Sequence, residues 1–384
     1  MYELADYLAM IEDPVRTPAY LAAMRAMIRP GDHVLEIGTG VGFFAIEACR
    51  LGAAHVYAIE PNDVIALGPA LAAANGCADR ITFMQDRSER CSLARRADLL
   101  VEDLRGISPL HHGRIGTLAD ARERLLLEGA RTIPARDQLW CAPSEWPSDL
   151  SAHPADAEVV RHGVDVTVVL EMLRRRVVRT RGVAKDLLAA GQPWATLDYA
   201  AAPSADAQGT SVFIVEREGR LAGIASWFST ELVPGIGYDT GPASARTVYD
   251  RAVLPLGEPI AVRRGDRIAL TLRATFDGAD YVWSWEVRVE PLGDRMPIVA
   301  RGSTLGANLM SAARRARRAG MYRPPVTANL EALRSVVRAV DGVRSLEEIA
   351  TELARTHRAE FPDSPAALRW AAAQLAALEE GGVA

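Results

Sequence analysis

Lysine is almost missing from this chain: of 384 residues only Lys185 is a lysine, against 43 arginines. A phosphate loop ending in Gly-Lys-Ser/Thr, or a Schiff-base lysine, would have to use Lys185, which follows Arg181-Gly182-Val183-Ala184 without a glycine-rich approach. P-loop and pyridoxal chemistry are therefore excluded. Cysteine is also scarce. Cys49, Cys77, Cys91 and Cys141 form no C-x-x-C pair, so neither a disulfide framework nor a zinc site is signalled, and no metal is expected. No uninterrupted apolar run of about 18 residues occurs, and Glu3, Asp6, Glu12 and Asp13 stand where a signal peptide would be basic. The expectation is a soluble, cytoplasmic protein with no membrane partner. The net charge of -5 gives no general attraction for nucleic acid, and the arginine clusters at 174–176 and 314–318 lack interleaved aromatics.

At roughly 150 residues per domain, the length suggests two or three domains. Residues 1–145 alternate short apolar runs with helical segments, the pattern of a parallel α/β sheet. Strands are predicted at 33–37, 55–60, 80–84 and 97–101, with helices at 41–51 and 63–75. Beyond Trp140 the period changes to two. Residues 211–217 and 221–228 flank Glu218-Gly219-Arg220 and read as a hairpin; Ile268, Leu270, Leu272 and Ala274 share one face of a strand, as do Trp283, Trp285, Val287 and Val289 of the next. Residues 146–305 thus read as an antiparallel barrel or sandwich. A basic linker, 306–325, ends at Pro324-Pro325, and helices return over 326–384, where Ser345-Leu346-Glu347-Glu348 is a capping box.

The strongest chemical signal is Glu36-Ile37-Gly38-Thr39-Gly40-Val41-Gly42, a strand turning through three alternate glycines into a helix. Dinucleotide-binding turns place their third glycine one position later, where this chain has Phe43. The E-x-G-x-G-x-G spacing instead resembles class I S-adenosylmethionine methyltransferases, whose glycines let the backbone approach the cofactor closely. Glu60 ends the second strand, where a carboxylate can accept hydrogen bonds from both ribose hydroxyls.

Met10-Ile11-Glu12-Asp13-Pro14-Val15-Arg16-Thr17-Pro18-Ala19-Tyr20, the glycine motif, 56–60 and 81–89 together resemble the protein arginine methyltransferases. The resemblance implies a Rossmann-like methyltransferase domain followed by a β-barrel domain, with S-adenosylmethionine as cofactor and S-adenosylhomocysteine as product. It pairs Arg16 with the cofactor carboxylate and sets Met10 beside the sulfonium. Glu36, Gly38 and Gly40 would surround the methionine portion, Glu60 would hold the ribose, and Ser88 and Glu89 would meet the adenine edge. It also implies a homodimer formed through a helical arm, sought in 164–190.

The chain departs from the family where the acceptor is held. Family members grip a substrate guanidinium between two glutamates on the loop after strand four. Here Glu102-Asp103 begins that loop, Asp103 takes the first glutamate position and His112 the second. Thr247-Val248-Tyr249 replaces the family's T-H-W, and Arg114 stands at its second active-site methionine. Asp103 is one methylene shorter than glutamate, and a histidine, with a pKa of about 6.5, is a weaker anionic partner. The candidate catalytic set is Glu102, Asp103 and His112, with methyl transfer to a side-chain nitrogen or oxygen oriented by Asp103 and His112.

Residues 326–384 resemble the small winged-helix-like peptide-binding domains called PqqD-like, which hold the leader of a ribosomally made precursor peptide. Six arginines against nine carboxylates argue against a DNA-binding winged helix. The sequence therefore points to a methyltransferase acting on a peptide or protein recruited by its C-terminal domain. Small-molecule methylation and a scaffold that keeps the cofactor fold without turnover remain alternatives.

Overall fold

A computed structural model describes residues 3–182, 184–201, 203–307, 323 and 325–381, with side chains to 378. The arginines at 314–318 lie outside the described residues. The chain forms two compact units, Met1–Asn308 and Leu309–Ala384.

The first unit opens with helices α1 (Leu4–Ile11) and α2 (Arg16–Met27). Strands β1 (His33–Ile37), β2 (His55–Ile59), β3 (Ile81–Met84), β4 (Ala97–Glu102) and β5 (Leu126–Ile133) follow, with helices α3 (Phe43–Arg50), α4 (Gly68–Ala74) and α5 (Arg114–Arg124) between them. The strands form one parallel sheet in the order β3-β2-β1-β4-β5. Val34, Leu35, Val56, Leu99 and Leu100 are buried, as strands covered on both faces require. The order reverses at β1, between β2 and β4, so the crevice for a ligand opens at the carboxyl ends of these strands. Glu36 and the glycine turn stand there. The four predicted strands are present; β5 and the strand after it were not read from the sequence.

An antiparallel part follows: β6 (Arg136–Ser144), β7 (Val160–Arg161), β8 (Val164–Asp165), α6 (Thr167–Leu173), β9 (Val178–Thr180), β10 (Gln192–Asp198), β11 (Ala207–Ile214), β12 (Gly219–Val233), β13 (Ile236–Asp239), β14 (Arg251–Val262), β15 (Arg267–Phe276), β16 (Tyr281–Glu290) and β17 (Ile298–Ser303). One sheet runs β10-β6-β12-β14-β9, with β13 on β12; a second runs β11-β15-β16-β17. Among the described residues the antiparallel part is thus these two main sheets, with β7 and β8 a separate small pair, and no closed barrel is formed. The expected hairpin at 218–220 is not formed: β11 pairs with β15 and β12 with β6 and β14, so the Gly219 turn joins two different sheets. Alternation fixes which face each strand buries but not its neighbour. Phe213, Phe228, Leu254, Leu270, Trp285 and Val287 belong to the same hydrophobic cluster as Val34, Val56 and Leu99, so both architectures share one continuous core. Each such side chain contributes about 1.5–3 kcal/mol through burial.

The second unit contains α7 (Ala328–Ala339), α8 (Leu346–Thr356) and α9 (Ser364–Gly381) around Ala332, Val336, Ile349, Leu353, Phe361 and Ala371. No strand occurs among its described residues, so the wing of a winged helix is not seen there. The capping box is formed: Ser345 Oγ accepts from Glu348 N at 3.2 Å and the Glu348 carboxylate accepts from Ser345 N at 2.7 Å. Ser345→Ala should destabilise α8 by about 1 kcal/mol, read as faster amide exchange over 346–350 with protection in β1 unchanged.

Candidate active site

At the end of β1 the chain turns through Gly38, Gly40 and Gly42 with φ of 78°, 56° and 89°, a left-handed run that favours glycine. A Cβ on Gly40 would lie 2.8 Å from the Tyr7 ring of α1, and one on Gly38 2.6 Å from Leu104 Cδ2. Gly38 N and Thr39 N donate to Ile59 O at 2.9 and 3.1 Å, which ties the turn to the end of β2. The buried Glu36 carboxyl accepts from Thr39 Oγ1 at 2.6 Å, and burial raises its pKa to about 8 against the opposing pull of that hydrogen bond. Glu60 accepts from Gly40 N and Asn62 N, each at 3.1 Å. Ser88 Oγ is buried without a partner, and Glu89 accepts from Thr117 Oγ1 at 2.6 Å. A backbone cradle closed to side chains, two strand-end carboxylates and an orphaned hydroxyl fit a cofactor with an amino-acid tail and a nucleoside.

Arg16 lies over the ring of Phe44, in the helix entered from this turn, at 5.2 Å. The Met10 carbonyl accepts from Arg16 Nη1 at 3.1 Å and from Thr17 Oγ1 at 2.9 Å. Arg16 Nε donates to Asp103 and to Tyr249 Oη, so the arginine assigned to the cofactor carboxylate also holds the acceptor loop. Asp13 accepts from Arg16 N and from Val248 N, both at 2.7 Å, and so fastens the start of α2 to the segment carrying Tyr249.

Beyond Asp103 lies a buried ionic cluster. Arg105 donates to Asp103 at 2.9 Å and to both oxygens of Asp137, at 2.9 and 3.1 Å, as well as to Tyr20 Oη at 2.7 Å and Thr230 Oγ1 at 2.9 Å. Arg114 grips Glu102 through Nε and Nη2 and reaches Tyr199 Oη through Nη1. Burial alone would raise Asp103 and Asp137, but the neighbouring guanidiniums and a tyrosine hydrogen bond on each hold both carboxyls below the usual carboxylate range. Glu102 and Asp103 are thus brought into the cluster. His112 is not: its side chain is 66% exposed, its φ is +43°, and it faces Asp280 at 3.8 Å. His111 turns inward instead, and burial together with His112 lowers its pKa to about 4. Sequence reasoning missed Arg105, Asp137, Tyr20 and Tyr199, which come from four distant segments with no local spacing to mark them.

Comparison with known proteins gives this geometry a class. Residues 16–103 match the family profile described as Ribosomal protein L11 methyltransferase (PrmA). The chain is similar to protein arginine N-methyltransferase 1.1 of Arabidopsis thaliana, 23% identical over 68% of this chain and 69% of that protein. It is also similar to an arginine N(omega)-methyltransferase of Streptomyces achromogenes subsp. streptozoticus, 25% identical over 69% of this chain and 75% of the relative. Some alignments are shorter, down to 38% of the relative's length. Among solved structures, a chain of the Trypanosoma brucei PRMT1 enzyme–prozyme heterotetrameric complex with AdoHcy shares the fold, with a TM-score of 0.69 and 18% identity over 78% of this chain and 98% of that one.

Fold, cleft and these matches together define an S-adenosylmethionine-dependent methyltransferase. Within that class, the parallel sheet followed by an antiparallel part is an architecture like that of the arginine methyltransferases.

Two outcomes follow. Glu36 is protonated below about pH 8, so binding of the cationic cofactor should release a proton, and affinity should tighten about tenfold per pH unit as pH rises towards that value. Titration calorimetry in buffers of different ionisation enthalpy would show the release, and Glu36→Gln should abolish the slope. Asp137→Asn leaves two buried guanidiniums short of a counter-charge and should cost about 3–5 kcal/mol in denaturant unfolding.

Proposed function

We propose that this chain transfers the methyl group of S-adenosylmethionine to a side-chain nitrogen, or oxygen, of a peptide or protein. The observation that carries this reading is the adjacency of two sites: the glycine cradle at the end of β1 and the Asp103–Tyr249–Arg16 cluster at the end of β4. When bound, the cofactor supplies an activated methyl on a sulfonium with its own leaving group. The protein's task is to align a nucleophile with that methyl and to exclude water. In this reading Met10, Arg16, Glu36, Gly38 and Gly40 hold the methionine portion, Glu60 the ribose, and Ser88 and Glu89 the adenine. Asp103, fixed by Arg16, Arg105 and Tyr249, orients the acceptor, and Glu102 braces the loop. His112 acts at the rim of the cleft.

The C-terminal three-helix unit is proposed to recruit the substrate, a ribosomally made precursor peptide, as the PqqD-like resemblance suggests. Its own compact core supports a separable task. A homodimer is proposed through the segment of β7, β8 and α6, where Val164, Val168 and Val169 are 61%, 73% and 57% exposed. A second reading, methylation of a small molecule, is favoured by the Streptomyces relative, whose name specifies arginine rather than a protein.

Incubation with labelled S-adenosylmethionine and a long precursor peptide should label the peptide, and removal of residues 324–384 should lower that rate about tenfold or more while sparing a short fragment. Equal loss on both substrates would argue against recruitment. Val168→Asp with Val169→Asp should convert a dimer to a monomer in light scattering.

A further inference from the structure

In the cluster at the end of β4, the buried Glu102 and Asp137 and the Asp103 carboxylate, whose side chain is 7% exposed, meet three buried arginines, Arg16, Arg105 and Arg114. Every carboxylate oxygen is engaged. Glu102 Oε1 accepts from Arg114, and Oε2 from Arg114 and Leu104 N. Asp103 Oδ1 accepts from Arg105, and Oδ2 from Arg16 and Tyr249. Asp137 Oδ1 accepts from Arg105, and Oδ2 from Arg105 and Tyr199. The charges balance, and every oxygen of the three already accepts at least one hydrogen bond from within the chain.

Arg114 is the member whose position the local chain does not explain. It is the first residue of α5, where the helix dipole disfavours a cation, yet it is 3% exposed and lies bidentate on Glu102. A planar fork on a carboxylate is the geometry in which a protein binds a guanidinium ligand.

We propose that Arg114 occupies, from within the chain, a guanidinium seat made by Glu102 beside the Asp103 position, and that the methyl acceptor admitted here is consequently an uncharged nitrogen or oxygen nucleophile. This narrows the acceptor class within the function proposed above. A cation entering the balanced cluster would add an uncompensated buried charge, whereas an imidazole, amide or hydroxyl adds none. In the transfer, the acceptor lone pair forms the bond to the methyl carbon. The carbon–sulfur bond breaks with its electron pair left on sulfur, and the acceptor's proton departs to water.

The test is titration of methylguanidinium chloride into the full chain saturated with S-adenosylhomocysteine. Wild type should show no saturable binding. Arg114→Ala should gain it, and Arg114→Ala with Glu102→Gln should lose it again. Saturable binding to wild type as tight as to Arg114→Ala, or a folded Arg114→Ala that binds nothing, overturns the proposal. Should Arg114→Ala not fold, the wild-type titration decides: saturable binding sinks the idea and its absence upholds it. A second arm offers wild type and labelled S-adenosylmethionine two matched peptide pools, one with arginine and one with histidine and asparagine in its place. Labelling should favour the second pool by about tenfold or more, and equal or greater labelling of arginine overturns the assignment. Labelling of neither pool, with the titrations as expected, would count against the proposed function and leave the occupied seat standing.

Discussion

The end of the cleft at β4 depends on the pairing of Arg105 with Asp137. Arg105 leaves the loop after β4, and Asp137 stands in β6, the second residue of the antiparallel part, so the pair fastens the two architectures at the point where the cleft lies. Both side chains are fully buried. A pair so deep repays its desolvation only when the remaining donors and lone pairs are satisfied, and Tyr20, Tyr199, Thr230 and Asp103 do this. Tyr20 belongs to α2, Thr230 to β12 and Tyr199 follows β10, so with the loop after β4 and β6 five segments converge on one guanidinium–carboxylate contact. The hydrophobic core is likewise continuous across both architectures.

The cofactor side is organised by different physics. There the chain relies on backbone approach, with left-handed glycines, strand-end carboxylates and a helix entered directly from the turn. Its only strongly shifted acid is Glu36, raised by burial with no cation at bonding distance. One end of the cleft is thus shaped by backbone around a buried carboxyl, and the other is a space whose charges are matched within the chain. A single fold carries both because the parallel sheet supplies the first and its junction with the antiparallel sheets the second.

This division explains what could be read from the chain alone. The strands at 33–37, 55–59, 81–84 and 97–102 and the glycine turn were legible because they depend on contiguous residues with a period and a spacing. Glu36 and Glu60 were legible because strand ends position them. The hairpin at Gly219 was misread, since the alternation of 211–214 and 221–228 says nothing about which partner strand each will meet. The ionic cluster was invisible for a stronger reason. Arg105, Asp137, Tyr20 and Tyr199 are brought together by long-range topology, and among 43 arginines no local signal separates a buried one from a surface one. The sequence marks Arg114 only as standing at a methionine position, and spacing points to the exposed His112 although His111 is the more buried of the two.

The contact between Glu102 and Arg114 joins the last residue of β4 to the first of α5, twelve positions apart. The intervening chain, which carries Asp103, Leu104, Arg105 and His111, is therefore a ring closed by a reversible crosslink. Closing a loop of that size removes several kcal/mol of chain entropy in the covalent case, and a bidentate ion pair supplies part of the same restriction. Side chains displayed on such a ring lose the freedom that an open surface loop would give them. Neutralising Glu102 would do more than alter a charge, because it would open the ring and leave Leu104 and His111 less restrained, while Asp103 and Arg105 keep their ties to Arg16, Tyr249 and Asp137.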